Sequence, residues 1–287
     1  MRENIMTAIK ICALGSVNLD MIIQTKTLPR AGETIAQGAF QSLPGGKGAN
    51  VALAAQRLGA KVELRAAVGE DDYADQALAF LKEGGVDLGE LVKIKDSHTG
   101  LAFINVAEDG ENQIAVASGA NDKFTPAHLS SITADGIITQ FEIPLETIEA
   151  AIKGFDGFVA INASPVVEGL EKLLPHASLI IVNEGEYTAY VSALKAYDGL
   201  LAITLGAKGA KLMRGRETLA EAQPPKVEVV DTTGAGDSFA AGLTVALMEG
   251  QSPQDALQFA CNVGALTATK LGTQAATPSR AEVEASL

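Results

Sequence analysis

The chain has a glycine-rich turn directly beside a carboxylate. Residues 229–243 read VVDTTGAGDSFAAGL. Gly234 and Gly236 let the backbone approach a ligand closely, and a helix-forming segment at residues 238–249 follows, so N–H groups would face an anion. Asp237 would repel a phosphate unless it takes up a proton, which indicates phosphoryl transfer to a hydroxyl with Asp237 as the base. The alternative is that Asp237 only caps the helix and the glycines only form a turn.

A second glycine cluster precedes another helix-like segment. Residues 44–59 read PGGKGANVALAAQRLG, and this loop offers Lys47 and Asn50 in place of an acid. The Asn50 amide both donates and accepts hydrogen bonds, so together with the N–H of Gly46 it could bind vicinal sugar hydroxyls. Lys47 could equally be a solvated surface lysine.

Both segments resemble the paired signatures of the ribokinase-like, or PfkB-type, carbohydrate kinases, and the resemblance covers nearly the whole chain. Residues 14–20 (LGSVNLD) resemble the family's first sugar-binding segment. Residues 183–186 (NEGE) resemble its element near Mg²⁺ and the phosphates, and residues 204–209 (TLGAKG) resemble its nucleotide-binding turn. Within the family, residues 100–121 resemble the lid region of the ribokinases most closely.

The resemblance implies transfer of the γ-phosphoryl group of ATP to a primary hydroxyl, and the 5-hydroxyl of ribose is the preferred acceptor. The implied catalytic residues are Asp237, which accepts the proton, and Gly234, Ala235 and Gly236, whose N–H groups stabilise the transferred group. The implied sugar-binding residues are Asn18, Asp20, Gly46, Lys47, Asn50 and Glu142. The implied ATP-binding residues are Asn183, Thr204, Gly206, Gly209, Gly236 and Cys261. Glu142 could instead be a plain strand-end acid.

Two cations complete the set of cofactors that the resemblance implies. Mg²⁺ would be held, indirectly, by Asn183 and Glu186, although Glu186 could be a solvated charge on a helix. A K⁺ site would be formed by Asp231, Thr233, Thr267, Lys270, Gly272 and Ala276. Ala276 stands where ribokinases commonly place a serine, so one side-chain oxygen is missing. The alternative is an ordinary loop packed on a helix end.

Two departures from the family pattern concern the nucleotide. The chain between Tyr187 and Leu201 is shorter than in typical ribokinases, which would open the rim of the nucleotide site. Cys261 stands where ribokinases often carry histidine or asparagine near the base. The adenine contacts therefore stay open, whereas catalysis should survive both changes.

The elements that must position these residues alternate between apolar runs and helical patterns. This alternation predicts an α/β fold, with a central, mostly parallel sheet and helices on both faces. Strands are expected at residues 9–14, 62–68, 136–139, 157–161, 179–182 and 200–204, with a further strand-like run ending at Val230. Helices are expected at residues 74–83, 145–152, 168–174, 185–194 and 253–270.

Two further segments, at about residues 33–43 and 100–119, have β-type content and predict a small antiparallel sheet. In the family such a sheet is a lid that covers the sugar and excludes water during transfer. The alternative is an immobile extension of the main sheet. We therefore predict a single ribokinase-like domain over residues 1–287 with a β lid, and an exposed face of the lid would invite pairing with a second subunit.

Composition limits the other function classes. The 287 residues carry a net charge of −13, which argues against a nucleic-acid surface. Cys12 and Cys261 lie in apolar segments and fit a reducing compartment. No run reaches the length of a membrane span and no leader pattern starts the chain, so we expect a cytoplasmic protein. His98, His128 and His176 are scattered, which supports neither a catalytic triad nor a metal cluster.

Competing functions remain open at the level of sequence. The turn after the first strand lacks the glycines of a dinucleotide-binding site, and Gly46 and Lys47 are followed by glycine where a P-loop needs serine or threonine. Another kinase of the same family, acting on fructose, a keto-deoxy sugar acid or a nucleoside, would keep Asp237. A catalytically silent sugar-binding protein is the non-enzymatic alternative.

Overall fold

A large, mostly parallel sheet forms the centre of the fold. The structure is a computed structural model that describes residues 8–287; the first seven residues of the predicted domain lie outside it. The strands are β1 (Lys10–Leu14), β2 (Asn18–Thr25), β3 (Ala39–Gly45), β4 (Lys61–Arg65), β5 (Ala67–Gly69), β6 (Val92–Ile94), β7 (Gly100–Ala107), β8 (Asn112–Ala117), β9 (Gly136–Gln140), β10 (Phe158–Asn162), β11 (Leu179–Asn183), β12 (Leu200–Thr204), β13 (Ala210–Arg214) and β14 (Glu217–Ala222). The helices are α1 (Lys47–Arg57), α2 (Asp72–Ala77), α3 (Ala79–Glu83), α4 (Leu145–Ile152), α5 (Glu184–Leu194), α6 (Ala235–Met248), α7 (Pro253–Thr267), α8 (Thr273–Ala276) and α9 (Arg280–Glu284).

The eight strands of the main sheet follow the order β14-β13-β12-β11-β10-β9-β1-β4. The strands from β12 to β4 pair in parallel, and β13 and β14 add an antiparallel edge. The α/β prediction is thus confirmed. Since parallel strands end at the same edge, the polar residues that close β9, β10, β11 and β12 are brought to one side of the molecule.

Helices cover both faces of this sheet because its strands are apolar on both sides. Ile11 and Ala13 of β1 contribute to a core that includes residues of α1, α6 and α7, whereas Cys12 and Leu14 contribute to a second core that includes residues of α4 and α5. Alternate residues of one strand therefore pack against opposite layers, as a buried parallel strand requires. Among the described residues no helix is both long and apolar enough to cross a bilayer.

A second, four-stranded sheet has the order β3-β2-β7-β8. It contains the two segments predicted to form a lid, although Glu33 to Gly38 lie outside any strand and β3 begins only at Ala39. No strand was predicted at Asn18–Thr25, but these residues form β2, which pairs antiparallel with β3 and parallel with β7, so the predicted antiparallel sheet is a mixed one. We call these four strands the lid sheet. One of its two inner strands, β2, was therefore missed at the level of sequence.

Four local predictions were wrong. Residues 168–174 form short 3₁₀ turns at Leu170–Lys172 and Leu174–His176 in place of an α-helix, because Gly169 is left-handed and Pro175 lacks an N–H group. The run ending at Val230 is irregular, since Pro224 and Pro225 cannot donate to a ladder and the N–H of Val230 donates to Ala268 O. The strand predicted over residues 62–68 is divided into β4 and β5, and the helix over residues 74–83 into α2 and α3.

Candidate active site

Asp237 lies in the first turn of α6, where the helix meets the glycine-rich turn. Gly234 is left-handed, with φ of 75°, and precedes the helix, so the chain reverses sharply before Ala235. Gly236 has open space beside it, whereas the side chain of Thr273 approaches Gly234 closely. Unpaired N–H groups of a first helical turn attract anions. One of the three predicted donors, the N–H of Ala235, is directed to Thr232 O at 3.2 Å.

Three side chains hold the buried carboxylate of Asp237. Asn50 Nδ2 donates to Oδ2 at 3.0 Å, and Asn162 Nδ2 donates to Oδ1 at 3.2 Å. Lys47 Nζ lies 3.7 Å from Oδ1, and the charge of Asp237 raises the Lys47 pKa against the opposing effect of burial, with smaller contributions from Glu142 and Glu186. Lys47 is therefore a charged member of the site and not a solvated surface lysine.

The predicted sugar-binding residues converge from three elements. Gly46 adopts φ of 88° at the start of α1, and a side chain there would meet Asn18 N at 2.6 Å, so only glycine allows this corner to approach β2. Glu142 follows β9, and its Oε2 accepts from Ser16 Oγ at 2.5 Å and from Lys47 N at 3.1 Å. Asn18 Oδ1 accepts from Asn121 Nδ2 at 2.8 Å.

Asp20 lies in the lid sheet and faces the other carboxylates of the site. Burial raises its pKa to about 7, and the charges of Glu142, Asp237 and Asp231 contribute to this rise in that order. Among the residues that the structure describes, the site thus collects several carboxylates around the ammonium group of Lys47. A cavity of about 260 Å³ lies next to them and is lined by residues that include Asn18, Asn121 and Glu142.

Four of the six predicted nucleotide residues lie at or directly after the ends of β11 and β12, whereas Gly236 lies in α6 and Cys261 in α7. Asn183 and Thr204 are paired neighbours in the sheet, and Gly206 and Gly209 both have positive φ in the turn that follows β12. Gly209 packs on the carbonyl of Ala222. Cys261 Sγ lies 3.9 Å from that same carbonyl oxygen, and burial raises the thiol pKa to about 12, so Cys261 is a neutral, apolar wall of this region.

Asn183 and Glu186 form a reciprocal cap on α5. Asn183 Oδ1 accepts from Glu186 N at 2.8 Å, and Glu186 Oε2 accepts from Asn183 N at 2.8 Å. This capping box satisfies two N–H groups at the start of the helix. Glu186 is buried, so it is not the solvated charge that the sequence left open.

The two loops predicted to hold a monovalent cation are in contact. Asp231 Oδ1 accepts from Thr233 N at 2.9 Å, and Oδ2 accepts from Gly272 N at 3.2 Å. Two predicted members point elsewhere with their side chains: the Thr267 hydroxyl donates to Val263 O within α7, and Lys270 Nζ lies 3.7 Å from Glu282. Ala276 is buried and its methyl group supplies no ligand, which leaves the Asp231 carboxylate, the Thr233 hydroxyl and backbone carbonyls as the groups that could bind a cation here.

Four residues of this region were missed at the level of sequence: Ser16, Asn121, Asn162 and Gln274. Asn162 closes β10 as Asn183 closes β11, so a polar residue at the end of an apolar run was the signal that could have identified it. No local pattern marks Gln274, which reaches the site from a short helix near the end of the sequence. A buried carboxylate held by two amides and a lysine at a helix N-terminus is the arrangement expected for phosphoryl transfer to a hydroxyl.

Comparison with known proteins agrees with this class of site. Residues 8–280 match the family described as pfkB family carbohydrate kinase. The ribokinase of Bacillus subtilis (strain 168) is 38% identical over 289 residues, covering 96% of this chain and 98% of that protein. The structure of ribokinase from Cryptococcus neoformans var. grubii serotype A in complex with ADP has a TM-score of 0.87 and 30% identity, covering 98% of this chain and 100% of that one. The structure of Arabidopsis thaliana ribokinase complexed with ribose and ATP has a TM-score of 0.83 and 28% identity, covering 97% and 98% of the two chains. This chain therefore belongs to the pfkB family and is a carbohydrate kinase.

Proposed function

We propose that this protein is a ribokinase, which transfers the γ-phosphoryl group of ATP to the 5-hydroxyl of ribose. The observation that carries the proposal is the Asp237 carboxylate, held by Asn50 and Asn162 at the start of α6. Lys47 connects it to the cavity, because Lys47 Nζ lies 3.7 Å from Asp237 Oδ1 and Lys47 N donates to Glu142, which lines the cavity together with Asn18. Relatives named as ribokinases match this chain over nearly its whole length. Their similarity supports ribose over fructose, a keto-deoxy sugar acid or a nucleoside as the acceptor.

Asp237 acts as the base in the proposed reaction. The sugar oxygen forms a bond to the γ-phosphorus, the bond from phosphorus to the leaving oxygen of ADP breaks, and the hydroxyl proton passes to the Asp237 carboxylate. The amides of Asn50 and Asn162 direct donors at both oxygens, so the carboxylate is fixed in place before the sugar arrives. Lys47 and the N–H groups of Gly234 and Gly236, the two predicted donors other than Ala235, offset the negative charge of the transferred group.

Sugar hydroxyls are bound by Asp20, Asn18, Glu142 and Asn50 together with the N–H of Gly46. Asp20 belongs to the lid sheet, whereas Glu142 belongs to a loop of the main sheet, so the sugar lies between two sheets. Asn50 contacts the base directly and therefore couples sugar binding to the position of Asp237.

Mg²⁺ is the divalent cofactor in this proposal and supplies charge neutralisation for the phosphates when bound. In the described part of the chain no three His, Cys, Asp or Glu side chains form a ready metal cage. A Mg²⁺ ion that is held mainly by substrate phosphates and water does not need one. The buried carboxylate of Glu186 lies near Lys47 and suits an indirect contact through water.

K⁺ is the second proposed cation and would act through the two loops that meet where Gly272 N donates to Asp231 Oδ2. Hard oxygen ligands are present in the Asp231 carboxylate and in the carbonyls of both loops, although Ala276 contributes no side-chain oxygen. A K⁺ titration at constant ionic strength in Na⁺-free buffer tests this, because a flat response would remove K⁺ from the mechanism and leave the kinase assignment intact.

The lid sheet supports the proposal of a homodimer. Its outer half exposes large apolar side chains on both faces, namely Ile23 (40% exposed), Phe40 (65%), Phe103 (48%), Ile114 (56%) and Val116 (54%). Exposed apolar patches of this kind favour protein contacts, and a second lid would cover one face while the other lies over the sugar. We also keep a cytoplasmic location as a proposal, since Cys12 and Cys261 are buried free thiols.

An ATP-consumption assay with a panel of acceptors tests the proposed function. The panel contains ribose, 2-deoxyribose, fructose, 2-keto-3-deoxygluconate and adenosine, each with identification of the phosphorylated product. We expect the highest kcat/KM with ribose and a product phosphorylated at the 5-position. The Asp237→Ala protein, purified in parallel, is the control for contaminating kinases. A higher kcat/KM with fructose, the keto-deoxy acid or adenosine would replace ribose, and sugar binding without any ATP consumption would favour a silent binding protein.

A further inference from the structure

Gln274 is a buried amide that touches the substrate side of the site from the C-terminal part of the chain. It lies in α8 and is 1% exposed. Its Nε2 donates to Asn50 Oδ1 at 3.3 Å and to Gly45 O at 3.4 Å. Asn50 in turn donates to Asp237. A chain of two amides therefore connects α8 with the catalytic carboxylate.

The direction of both amides is fixed by the carboxylate. An ionised carboxylate only accepts hydrogen bonds, so the Asn50 atom that faces Asp237 must be Nδ2. Asn50 Oδ1 then faces Gln274 and requires a donor, as does the carbonyl oxygen of Gly45. Gln274 must therefore present Nε2, and the reversed amide would set oxygen against two oxygens.

This orientation leaves the other atom of the Gln274 amide without a partner. Among the described residues, Gln274 Oε1 is buried and makes no hydrogen bond. An unpaired buried acceptor is unfavourable. A side chain that served packing alone would need no amide at this position. We therefore infer that the amide is needed for its Nε2 donor, which serves Asn50 Oδ1 and Gly45 O.

The backbone of Gln274 is held in place independently of its side chain. Arg57 Nη1 donates to Gln274 O at 2.9 Å and to Thr277 O at 2.7 Å. The Thr277 hydroxyl donates to Thr273 O at 3.0 Å. The amide thus projects from a rigid turn, which is the condition for orienting another side chain.

We propose that Gln274 is a positioning residue that holds the Asn50 amide in the rotamer in which Nδ2 faces Asp237 and the sugar. Without the Gln274 donor, Asn50 can turn its oxygen toward the carboxylate, which repels it and displaces the base. Gln274 contacts neither the carboxylate nor, in this proposal, the reacting atoms. The inference rests on the proposed function and deepens it, because it concerns how the same site is ordered.

The first test replaces Gln274 by methionine, which has a similar length and no donor. Loss of one hydrogen bond of this kind predicts that kcat/KM for the sugar falls roughly 2- to 10-fold, with effects on both kcat and the sugar KM because Asn50 serves both. Gln274→Glu should lower kcat/KM for the sugar further than Gln274→Met does, because the new carboxylate accepts from Asn50 Nδ2 and draws that group away from Asp237. The matched control is Gln76→Met on the exposed surface of α2, which should leave both constants unchanged.

A double-mutant cycle separates positioning from general loosening of the loop. If Gln274 acts through Asn50, Asn50→Leu/Gln274→Met will have the same kcat/KM as Asn50→Leu alone. Asn162→Leu/Gln274→Met should instead show the product of the two single losses, because Gln274 does not contact Asn162. Equal multiplicative losses in both double variants would overturn the proposal, as would a Gln274→Met enzyme with unchanged kinetics.

The experiment distinguishes this proposal from the proposed function. The cycle is measured on whichever acceptor the wild-type protein turns over fastest, so a failure of ribose as substrate leaves the comparison intact. Circular dichroism and thermal unfolding establish that each variant is folded. If Gln274→Met does not fold, the same cycle is run with Gln274→Glu. The proposal is then again decided by whether the losses in kcat/KM at positions 274 and 50 are coupled.

Discussion

Asp237 is held by two amides and one ammonium group. Each of its two oxygens therefore has a fixed protein partner, whereas the oxygens of a solvated carboxylate are bound by water. Asn50 faces Oδ2, while Asn162 and Lys47 face Oδ1. This arrangement bears directly on how an asparagine substitution would behave. An amide at position 237 would set its own NH₂ group against one of the two donors, in addition to losing the base.

We predict that Asp237→Asn lowers kcat roughly 10²- to 10⁴-fold, because an amide cannot accept the hydroxyl proton. Binding of sugar and ATP, measured by isothermal titration calorimetry, should change much less than kcat. Asp237→Ala serves as the companion variant without a misplaced donor. The assignment of Asp237 as base is wrong if Asp237→Asn keeps more than about a tenth of the wild-type kcat while chemistry limits the rate.

The raised pKa of Asp20 predicts how stability depends on pH. The folded protein holds the Asp20 proton with a pKa of about 7, compared with 3.8 for the reference side chain. The folded state thus binds this proton more tightly than the unfolded chain does. Its contribution to stability is complete below pH 3.8 and is lost as the pH rises through about 7, and the loss amounts to at most about 4 kcal/mol.

The Asp20→Asn substitution isolates this effect from the other carboxylates of the site. We expect urea unfolding without sugar to show similar free energies of unfolding for the variant and the wild-type protein near pH 4. At pH 8 the variant should be the more stable of the two, because its neutral amide has no proton to lose. A constant difference between the two proteins from pH 4 to pH 8 would show that Asp20 ionises normally in the folded protein.

At the scale of the element, the start of α5 combines a structural and a proposed catalytic task. Asn183 caps the helix through its Oδ1 atom, and Glu186 completes the capping box. The same two residues are proposed to act near Mg²⁺. Stability and ATP use can therefore be measured separately on one residue.

We predict that Asn183→Ala lowers the free energy of unfolding by about 1 kcal/mol, because the N–H of Glu186 loses its acceptor. Asn183→Ser retains an acceptor at the N-cap and should recover most of that loss in urea unfolding. If Asn183 also acts near Mg²⁺, both variants will raise the KM for ATP. A normal KM in Asn183→Ser would restrict Asn183 to capping.

At the scale of the whole molecule, the lid sheet exposes large apolar side chains to solvent on both of its faces. Pairing places Ile23, Phe40 and Phe103 on one face, and Ile114 and Val116 on the face that also carries Asp20. A sheet that exposes apolar residues on both faces is stabilised by burying one of them against another protein surface.

We predict that the wild-type protein sediments as a dimer at micromolar concentration and that Phe103→Asp shifts it toward the monomer, because burial of an unpaired charge is costly. Val191→Asp on the exposed surface of α5 is the matched control, since Val191 is 48% exposed and lies outside the lid sheet. A wild-type protein that sediments as a monomer over this range would contradict the dimer. Unchanged sedimentation of Phe103→Asp would move the interface elsewhere.

The sequence alone determined the class of fold and the chemistry at its centre. Apolar runs marked the core strands β1, β9, β10, β11 and β12, because a strand buried on both faces must be apolar throughout. The glycine-rich turns before α1 and α6 also followed from local rules, since a left-handed residue and a helix start are properties of neighbouring residues. These signals were sufficient to single out Asp237, Lys47 and Asn50.

Local rules were insufficient where the outcome depended on distant residues. The strand β2 was missed because its partners in the lid sheet, not its own composition, make it a strand. The donors to Asp237 lie 187 and 75 residues away from it in sequence, and Gln274 lies 224 residues from Asn50. The pKa of Asp20 likewise depends on burial and on Glu142, Asp237 and Asp231, which only the folded chain brings together. Sequence identified the groups that could do the chemistry, whereas tertiary structure decided how each is oriented and charged, because hydrogen bonds and desolvation depend on distances in space and not along the chain.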